Sequence, residues 1–301
     1  MNAKTPSGNR PLKVISWNLL RLTGAGVNDV AALIARHKPD LLLLQEATED
    51  LCALPDLVGG HFFREPRDRR VYGLAVWSPQ PLPRPSALRL PVSQVPGRVP
   101  PRLAPIVQFG DVSFANVHLS HGQFLNRWQL MHIASELEGP AAIVGDYNAV
   151  GPIKLGGFKD IGPRQPTHSP SNIISFRLDR CMARGLRCRE SRVLARGPSD
   201  HHPIVLELQA VPGAAYASAR HARRAKLRPT VLRANMERWL RTMAERPNRI
   251  RVGQNLLEVL DLKLRNNRMR KGRRGRWRQA LRAQNDNLPR HFDDRAGADM
   301  R

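Results

Sequence analysis

The chain has 301 residues, and its Lys and Arg residues outnumber its Asp and Glu residues by 24. This length exceeds one average domain, so we expect one domain with a large buried core plus an appendage. Three cysteines without a CxxC spacing argue against a disulfide framework and a structural zinc site. No run approaches the roughly 18 apolar residues of a membrane span, and the N-terminus lacks a signal-peptide core, so we predict a cytoplasmic protein.

Short apolar runs with strand character predominate in the first two thirds of the chain. They are 12–16, 41–44, 72–77, 112–119, 141–144, 177–182 and 204–208. Helical periodicity marks 27–37 and 126–137, which end near Pro39 and Pro140. Since no glycine-rich phosphate loop follows the first strand, a Rossmann or P-loop fold is disfavoured and a mixed α/β sandwich is favoured. Nine prolines within 79–105 predict a long surface connection there, and 154–175 is predicted to be an ordinary connection.

The positive charge is concentrated near the C-terminus, where residues 209–301 contain 24 Lys and Arg against 8 Asp and Glu. We therefore predict a disordered N-terminus over 1–10, a main domain over 11–209, and a basic extension over 210–301. The extension is predicted to be partly helical, over 229–244 and 254–270, and partly disordered. Such charge favours a polyanionic partner, either nucleic acid or an acidic lipid surface, although a solubilising extension is an alternative.

Polar motifs stand where the apolar runs end. They are Trp17-Asn18, Gln45-Glu46, His118-Leu119, Gly145-Asp146-Tyr147-Asn148, Leu178-Asp179-Arg180 and Ser199-Asp200-His201-His202-Pro203. Because Mg²⁺ prefers oxygen ligands, Asn18 and Glu46 are candidate metal ligands. Asp146 and Asn148 are candidates for positioning a water molecule. His118 and His201 are candidates for contacting a phosphate group, with Asp179 holding the His201 imidazole in one tautomer.

Together these motifs resemble the endonuclease/exonuclease/phosphatase superfamily of metal-dependent phosphoesterases. The resemblance covers about residues 12–208 in the family's motif order. It implies a DNase I-like fold, an α/β four-layer sandwich of two packed β-sheets flanked by helices, with the catalytic domain over 11–209. It also implies that Asn18, Glu46 and Asp200 bind Mg²⁺ or Mn²⁺, and that Asp146, Asn148, His118, Asp179 and His201 are catalytic.

The substrate is the least determined feature. Family AP endonucleases typically have a tyrosine where this chain has His118, which makes abasic-site specificity less expected. The leading hypothesis is a Mg²⁺-dependent phosphodiesterase acting on nucleic acid. The alternative is a phosphoesterase of phospholipid or inositol-phosphate headgroups, which would be peripheral at the inner face of an anionic membrane. An inactive adaptor is disfavoured, because a binding module has no need for this set of acidic and imidazole groups.

Residues outside the motifs receive weaker assignments. Arg98 and Arg102 stand in the proline-rich connection that is expected to border a substrate groove, and with His121 they are predicted to bind substrate. The remaining histidines apart from His202, His168 among them, are predicted to be structural, since a lone histidine at a strand end usually is. His202 adjoins His201 and receives no role.

Overall fold

A computed structural model describes residues 10–66, 70–92, 101–171 and 174–211. The predictions for residues 1–9, for most of the basic extension and for Arg98 lie outside these residues. The described strands are β1 Leu12–Asn18, β2 Leu41–Thr48, β3 His61–Pro66, β4 Tyr72–Ser78, β5 Ser86–Arg89, β6 Leu103–Phe109, β7 Val112–His118, β8 Ala141–Asp146, β9 Lys159–Asp160, β10 His168–Ser171, β11 Ile174–Phe176, β12 Asp179–Arg184, β13 Leu186–Val193 and β14 Ile204–Ala210. The α-helices are α1 Val27–His37, α2 Leu54–Val58 and α3 Gln123–Glu136.

Twelve of these strands form two six-stranded mixed sheets. The first has the order β13-β14-β1-β2-β4-β3 and the second the order β5-β6-β7-β8-β12-β9, while β10 and β11 form a separate hairpin. Each sheet contains one parallel pair near its middle, β1 with β2 and β7 with β8. The carboxyl ends of a parallel pair lie at the same edge of a sheet, and this property places the polar motifs that follow these strands.

Three apolar clusters account for the layers. Val14 and Leu41 of the first sheet share a cluster with Phe114 and Val144 of the second, so the two sheets pack face to face. The outer face of the first sheet packs on α1, and the outer face of the second packs on α3. The alternation of side chains along a strand produces this division, because neighbouring residues point to opposite faces. The predicted four-layer sandwich is confirmed.

The structure extends and corrects several predicted elements. All seven predicted strands are present, and so are the two helices predicted within the described residues, with ends that differ by a few residues. The prediction that 79–105 contains no regular element is wrong, because β5 lies within it and pairs with β6. The segment 154–175 also contains short strands, β9 and β10, and is more ordered than an ordinary connection. Within the described part of the chain, no helix has the length and apolar character needed to cross a membrane.

A polar network is buried between the two sheets, directly behind the strand ends. Gln45 Nε2 donates to Asn116 Oδ1 at 2.7 Å and to Ser16 Oγ at 3.1 Å. Asn116 Nδ2 donates in turn to the carbonyl oxygens of Leu44 at 3.0 Å and Ala75 at 2.9 Å. Asn116 therefore connects a strand of the second sheet to two strands of the first. Because every contact is buried, each lost partner leaves a polar group without a hydrogen bond.

We predict that Asn116→Ala lowers the free energy of unfolding by about 2–4 kcal/mol, because it removes one buried hydrogen bond from each of two carbonyl oxygens and one from the Gln45 amide. Urea denaturation measures the change. Gln108→Ala, at an exposed position of the adjacent strand β6, is the matched control and should alter stability by less than about 0.5 kcal/mol. Equal stabilities of the two variants would contradict the role of the network.

Candidate active site

The predicted site residues come together at one edge of the sandwich. Asn18 ends β1 and His118 ends β7, while Asp146 ends β8. The parallel register places His118 beside Asp146, and the antiparallel register places Asp179, the first residue of β12, opposite Asp146. The edge of the second sheet thus carries an imidazole and two carboxyl groups on three adjacent strands.

Asp146 is the centre of this arrangement. Its carboxyl group is almost fully buried, and Asn18 Nδ2 donates to its Oδ2 at 3.0 Å across the gap between the sheets. His118 Nε2 lies 3.5 Å and His201 Nε2 lies 3.8 Å from the same oxygen. The backbone N–H of Asn148 donates to the other oxygen at 2.8 Å. One buried carboxylate is therefore held by an amide, two imidazoles and a backbone N–H.

The acidic and imidazole groups of this cluster shift one another's pKa values. Burial alone would raise the pKa of Asp146, but His201, His118 and the hydrogen bonds from Asn148 and Asn18 together lower it to about 2. Burial alone would lower the pKa of His201, but the carboxylates of Asp179 and Asp146 raise it to about 10. At neutral pH the cluster consequently holds an ionised Asp146 and a protonated His201.

His201 is fixed by neighbours on both sides. Its Nδ1 lies 2.8 Å from Asp179 Oδ2, which is fully buried. Its backbone N–H donates to Ser199 Oγ, and that hydroxyl donates to the carbonyl of Asn18 at 2.6 Å. Trp17 Nε1 donates to the His201 carbonyl at 3.0 Å. The loop before β14 is thus tied to the end of β1 by side chains that stand beside the predicted motif positions.

The backbone adopts uncommon conformations at the same edge. Glu46 has a φ of 57° at a β-bulge in β2, and Asn148 has a φ of 48°. Gly145 has a φ of 141°, and a Cβ atom there would lie 2.1 Å from the carbonyl oxygen of Val117. Glycine is therefore required before Asp146, because any side chain would separate β7 from β8. Left-handed backbone at non-glycine residues is costly and is concentrated at functional sites.

A divalent cation fits part of the donor set. Asn18, Glu46 and Asp146 offer oxygen ligands at the strand ends, and burial raises the pKa of Glu46, with Arg21 opposing that rise. Ligand atoms of Asp146, Asp179 and His201 lie within 4.8 Å of one another, and so do those of His168, Asp200 and His201. Asp200 Oδ1 is a buried atom that accepts no hydrogen bond within the described residues, as expected of an oxygen suited to a cation.

The three predicted substrate-binding residues differ in how close to the site the structure places them. Arg102 lines a small cleft together with His118 and Tyr72, so it lies beside the site. His121 follows β7 by three residues and is exposed, which places it near the end of the strand that carries His118. Arg98 lies outside the described residues and stays a prediction.

The structure also shows two sets of contacts that the sequence did not indicate. His168 was predicted to be structural, yet its ring lies 4.4 Å from that of His201. Arg177 forms a bidentate ion pair with Asp160, and Arg180 donates to the same carboxylate and to the carbonyls of Ala149 and Gly151. This ionic cluster anchors the loop that follows Asn148. Spacing gives no signal of it, because Asp160 is 17 residues from Arg177.

We predict that the stabilising effect of His201 is lost at high pH. Its pKa in the folded protein is about 10, above the ordinary histidine value of 6.5, so its contribution is complete below pH 6.5 and declines as the pH rises through 10. The charged groups around it are Asp146, Asp179 and Asp200. Urea denaturation in EDTA should show wild type exceeding His201→Gln by several kcal/mol at pH 6 and by much less at pH 10.

The exposed strand residue His61 provides the control for that comparison, since His61→Gln should differ from wild type by less than about 0.5 kcal/mol at every pH. A difference between wild type and His201→Gln that does not change with pH would contradict the assigned charge state.

Several solved structures resemble this fold. An endonuclease/exonuclease/phosphatase from Beutenbergia cavernae matches with a TM-score of 0.53 and 20% identity, over 67% of this chain and 72% of that chain. A mannosyl-6-phosphatase from Bacteroides thetaiotaomicron matches with a TM-score of 0.54 and 18% identity, over 65% and 99% of the two chains. D. rerio TDP2 humanized by 14 mutations matches with a TM-score of 0.53 and 18% identity, over 66% and 99%.

At these identities the structural likeness establishes the fold, and a comparison with curated proteins finds no match. The sequence itself matches a family model, that of the Endonuclease/Exonuclease/phosphatase family, over residues 15–201. This match includes five of the six polar motifs and the first three residues of the sixth, and it covers more than half of the chain. The chain therefore belongs to the Endonuclease/Exonuclease/phosphatase family, whose members are phosphoesterases.

Proposed function

We propose that this protein is a Mg²⁺-dependent phosphodiesterase that acts on nucleic acid. The observation that carries the proposal is the convergence of Asn18, His118 and His201 on one oxygen of Asp146. Two imidazoles and an amide that point at a single buried oxygen create a compact polar site at the sheet edge, suited to a phosphate group and its attacking water.

The charges favour a division of roles. A carboxylate with a pKa near 2 is a weak proton acceptor at neutral pH, so Asp146 is suited to orienting a water molecule through a hydrogen bond rather than to removing its proton. The protonated His201 is suited to stabilising negative charge on a phosphoryl oxygen, and Asp179 fixes its orientation. His118, whose Nε2 lies 3.5 Å from the same Asp146 oxygen, is placed to donate to the same phosphate.

Metal dependence follows from the family and from the donor set. Family enzymes are generally divalent-metal dependent, and Glu46, Asn18 and Asp200 are the residues that we propose hold the cation. A bound divalent cation polarises a phosphoryl oxygen and lowers the pKa of a coordinated water. Titration of the hydrolytic activity with Mg²⁺ and, separately, with Mn²⁺ determines which of the two metals supports the reaction better.

The proposal that the substrate is a nucleic acid is based on the net positive charge of the chain. The excess of 24 positive charges is shared between the sandwich and the C-terminal residues, a distribution that suits an extended polyanion. The fold leaves the choice open, since a mannosyl-6-phosphatase and TDP2 share it. Anionic phospholipid remains the alternative substrate, and parallel assays on plasmid DNA, single-stranded RNA and anionic vesicles separate the two.

We predict that Asp146→Asn lowers kcat for plasmid nicking by about 10²–10⁴-fold, because the neutral amide abolishes the charge that holds both imidazoles. Plasmid binding should be retained. Asp111→Asn, which neutralises an exposed carboxylate in the turn between β6 and β7, is the matched control and should leave turnover unchanged. Wild-type turnover by Asp146→Asn would disprove the role of Asp146, and headgroup release from vesicles with intact plasmid would favour the lipid alternative.

We also predict that the basic C-terminal residues strengthen binding to nucleic acid through non-specific phosphate contacts. Contact with only four phosphates would make the affinity for DNA fall with a slope of about −3.6 in log K against log salt. Deletion of residues 214–301 should flatten that slope and lower efficiency on plasmid, while hydrolysis of a small chromogenic phosphodiester is retained. Equal efficiency of the full and shortened chains on plasmid would leave these residues as a solubilising extension.

A further inference from the structure

The β10–β11 hairpin is attached by backbone hydrogen bonds to the loop before β14, which contains Asp200 and His201. The Ser169 N–H donates to the Asp200 carbonyl at 2.8 Å, and the His202 N–H donates to the Thr167 carbonyl at 2.7 Å. These bonds form a bridge between His168 and His201. Thr167 Oγ1 also accepts from the backbone N–H of Asp179 at 2.9 Å. The position of His168 is therefore set by the same residues that position the His201–Asp179 pair.

The side chain of His168 contacts two of the predicted site residues. Its Nε2 lies 3.4 Å from Asp200 Oδ2, and its ring centroid lies 4.4 Å from that of His201, with the two planes tilted by 53°. Phe176 stacks more distantly, at 6.4 Å between centroids. A histidine that served only to fill space in the core would have no need for a carboxylate partner, and a phenylalanine would pack equally well.

The contact with His168 holds the Asp200 carboxylate at one of its two oxygen atoms. Oδ2 faces His168, whereas Oδ1 is a buried atom with no hydrogen-bond partner among the described residues. Groups that bind a ligand residue from behind fix its orientation and commonly alter metal affinity or activity by about 10- to 100-fold. The ring of His168 also packs against the His201 imidazole, whose Nε2 lies 3.8 Å from Asp146 Oδ2.

We propose that His168 is a positioning residue of this site: its Nε2 orients the Asp200 carboxylate toward the catalytic cation, and its ring restricts the His201 imidazole. The inference deepens the proposed function and rests on it for the identity of the cation site. It assigns His168 no contact with substrate, and its effect passes through Asp200. Loss of the Nε2 donor should therefore weaken metal binding even in the absence of substrate.

A double-mutant cycle tests the inference on the full-length protein. His168→Phe retains the ring but removes the donor, and Asp200→Asn removes the charge that the donor orients. The affinity for Mn²⁺, measured without substrate by electron paramagnetic resonance, should fall about 10-fold in His168→Phe. In the Asp200→Asn background, the same substitution should change Mn²⁺ affinity by less than about twofold, because coupled residues are not additive.

Three controls keep the result interpretable. His61→Phe introduces the same residue at an exposed strand position and should bind Mn²⁺ as wild type does. Thermal unfolding must show that each variant is folded, and His168→Leu, which also lacks a donor, replaces His168→Phe if the latter is not. At saturating Mn²⁺, the remaining defect on a small phosphodiester should appear in kcat rather than in KM.

Wild-type Mn²⁺ affinity in the folded His168→Phe or His168→Leu variant would overturn the inference, and so would effects of the His168 and Asp200 substitutions that simply add. The proposed function fails by a different observation, the absence of phosphodiester hydrolysis by the wild-type protein. Since the Mn²⁺ cycle needs no substrate, the two failures are distinguishable.

Discussion

A buried negative charge at the junction of two sheets is the constraint on which the site depends. Asp146 is almost fully removed from water, and an isolated carboxylate would not stay ionised there. It does so because the amide of Asn18 and two imidazoles surround one oxygen while a backbone N–H binds the other. These partners come from both sheets and from the loop before β14, so the site requires the sheets to be packed in one relative position.

The polar network behind the site serves that requirement. Asn116 hydrogen-bonds to Gln45 and to carbonyls of two strands in the opposite sheet, within an interface that is otherwise apolar. Apolar side chains pack in many arrangements, whereas buried amides are satisfied in few. The network therefore restricts how far the sheets can slide over one another, and the hydrogen bond between Asn18 and Asp146 benefits from the same restriction.

The accuracy of the sequence-based prediction depends on where a strand lies in its sheet. The predicted strands all occupy interior positions, where both faces are covered and most of the runs are predominantly apolar. The four edge strands, β13, β3, β5 and β9, were missed. Their sequences are short or carry charged side chains and proline, as edge strands often do, so the periodicity of a buried strand is weak. The interior strand β6 was missed because the proline-rich run extends into its first residues.

The position of a residue relative to the strands also decided which site residues could be predicted from the sequence. Residues at the ends of interior strands were identifiable because each apolar run ends in a polar motif, and the structure brings Asn18, His118, Asp146, Asp179 and His201 together. His168 was missed because it belongs to a short hairpin without an apolar run, and its neighbours Asp200 and His201 are more than 30 residues away. Contacts of that kind depend on tertiary structure, which periodicity does not contain.

The antiparallel pairing of β12 with β8 has a consequence for how such a protein can diversify. Asp179 stands opposite Asp146 by backbone hydrogen bonding, and a slip of one residue would send every β12 side chain to the other face. The pairing of the two strands therefore sets the distance between the two carboxyl groups, and the surrounding loops do not. Loops that border the site can accordingly change in length and composition without altering the distance between these two carboxyl groups.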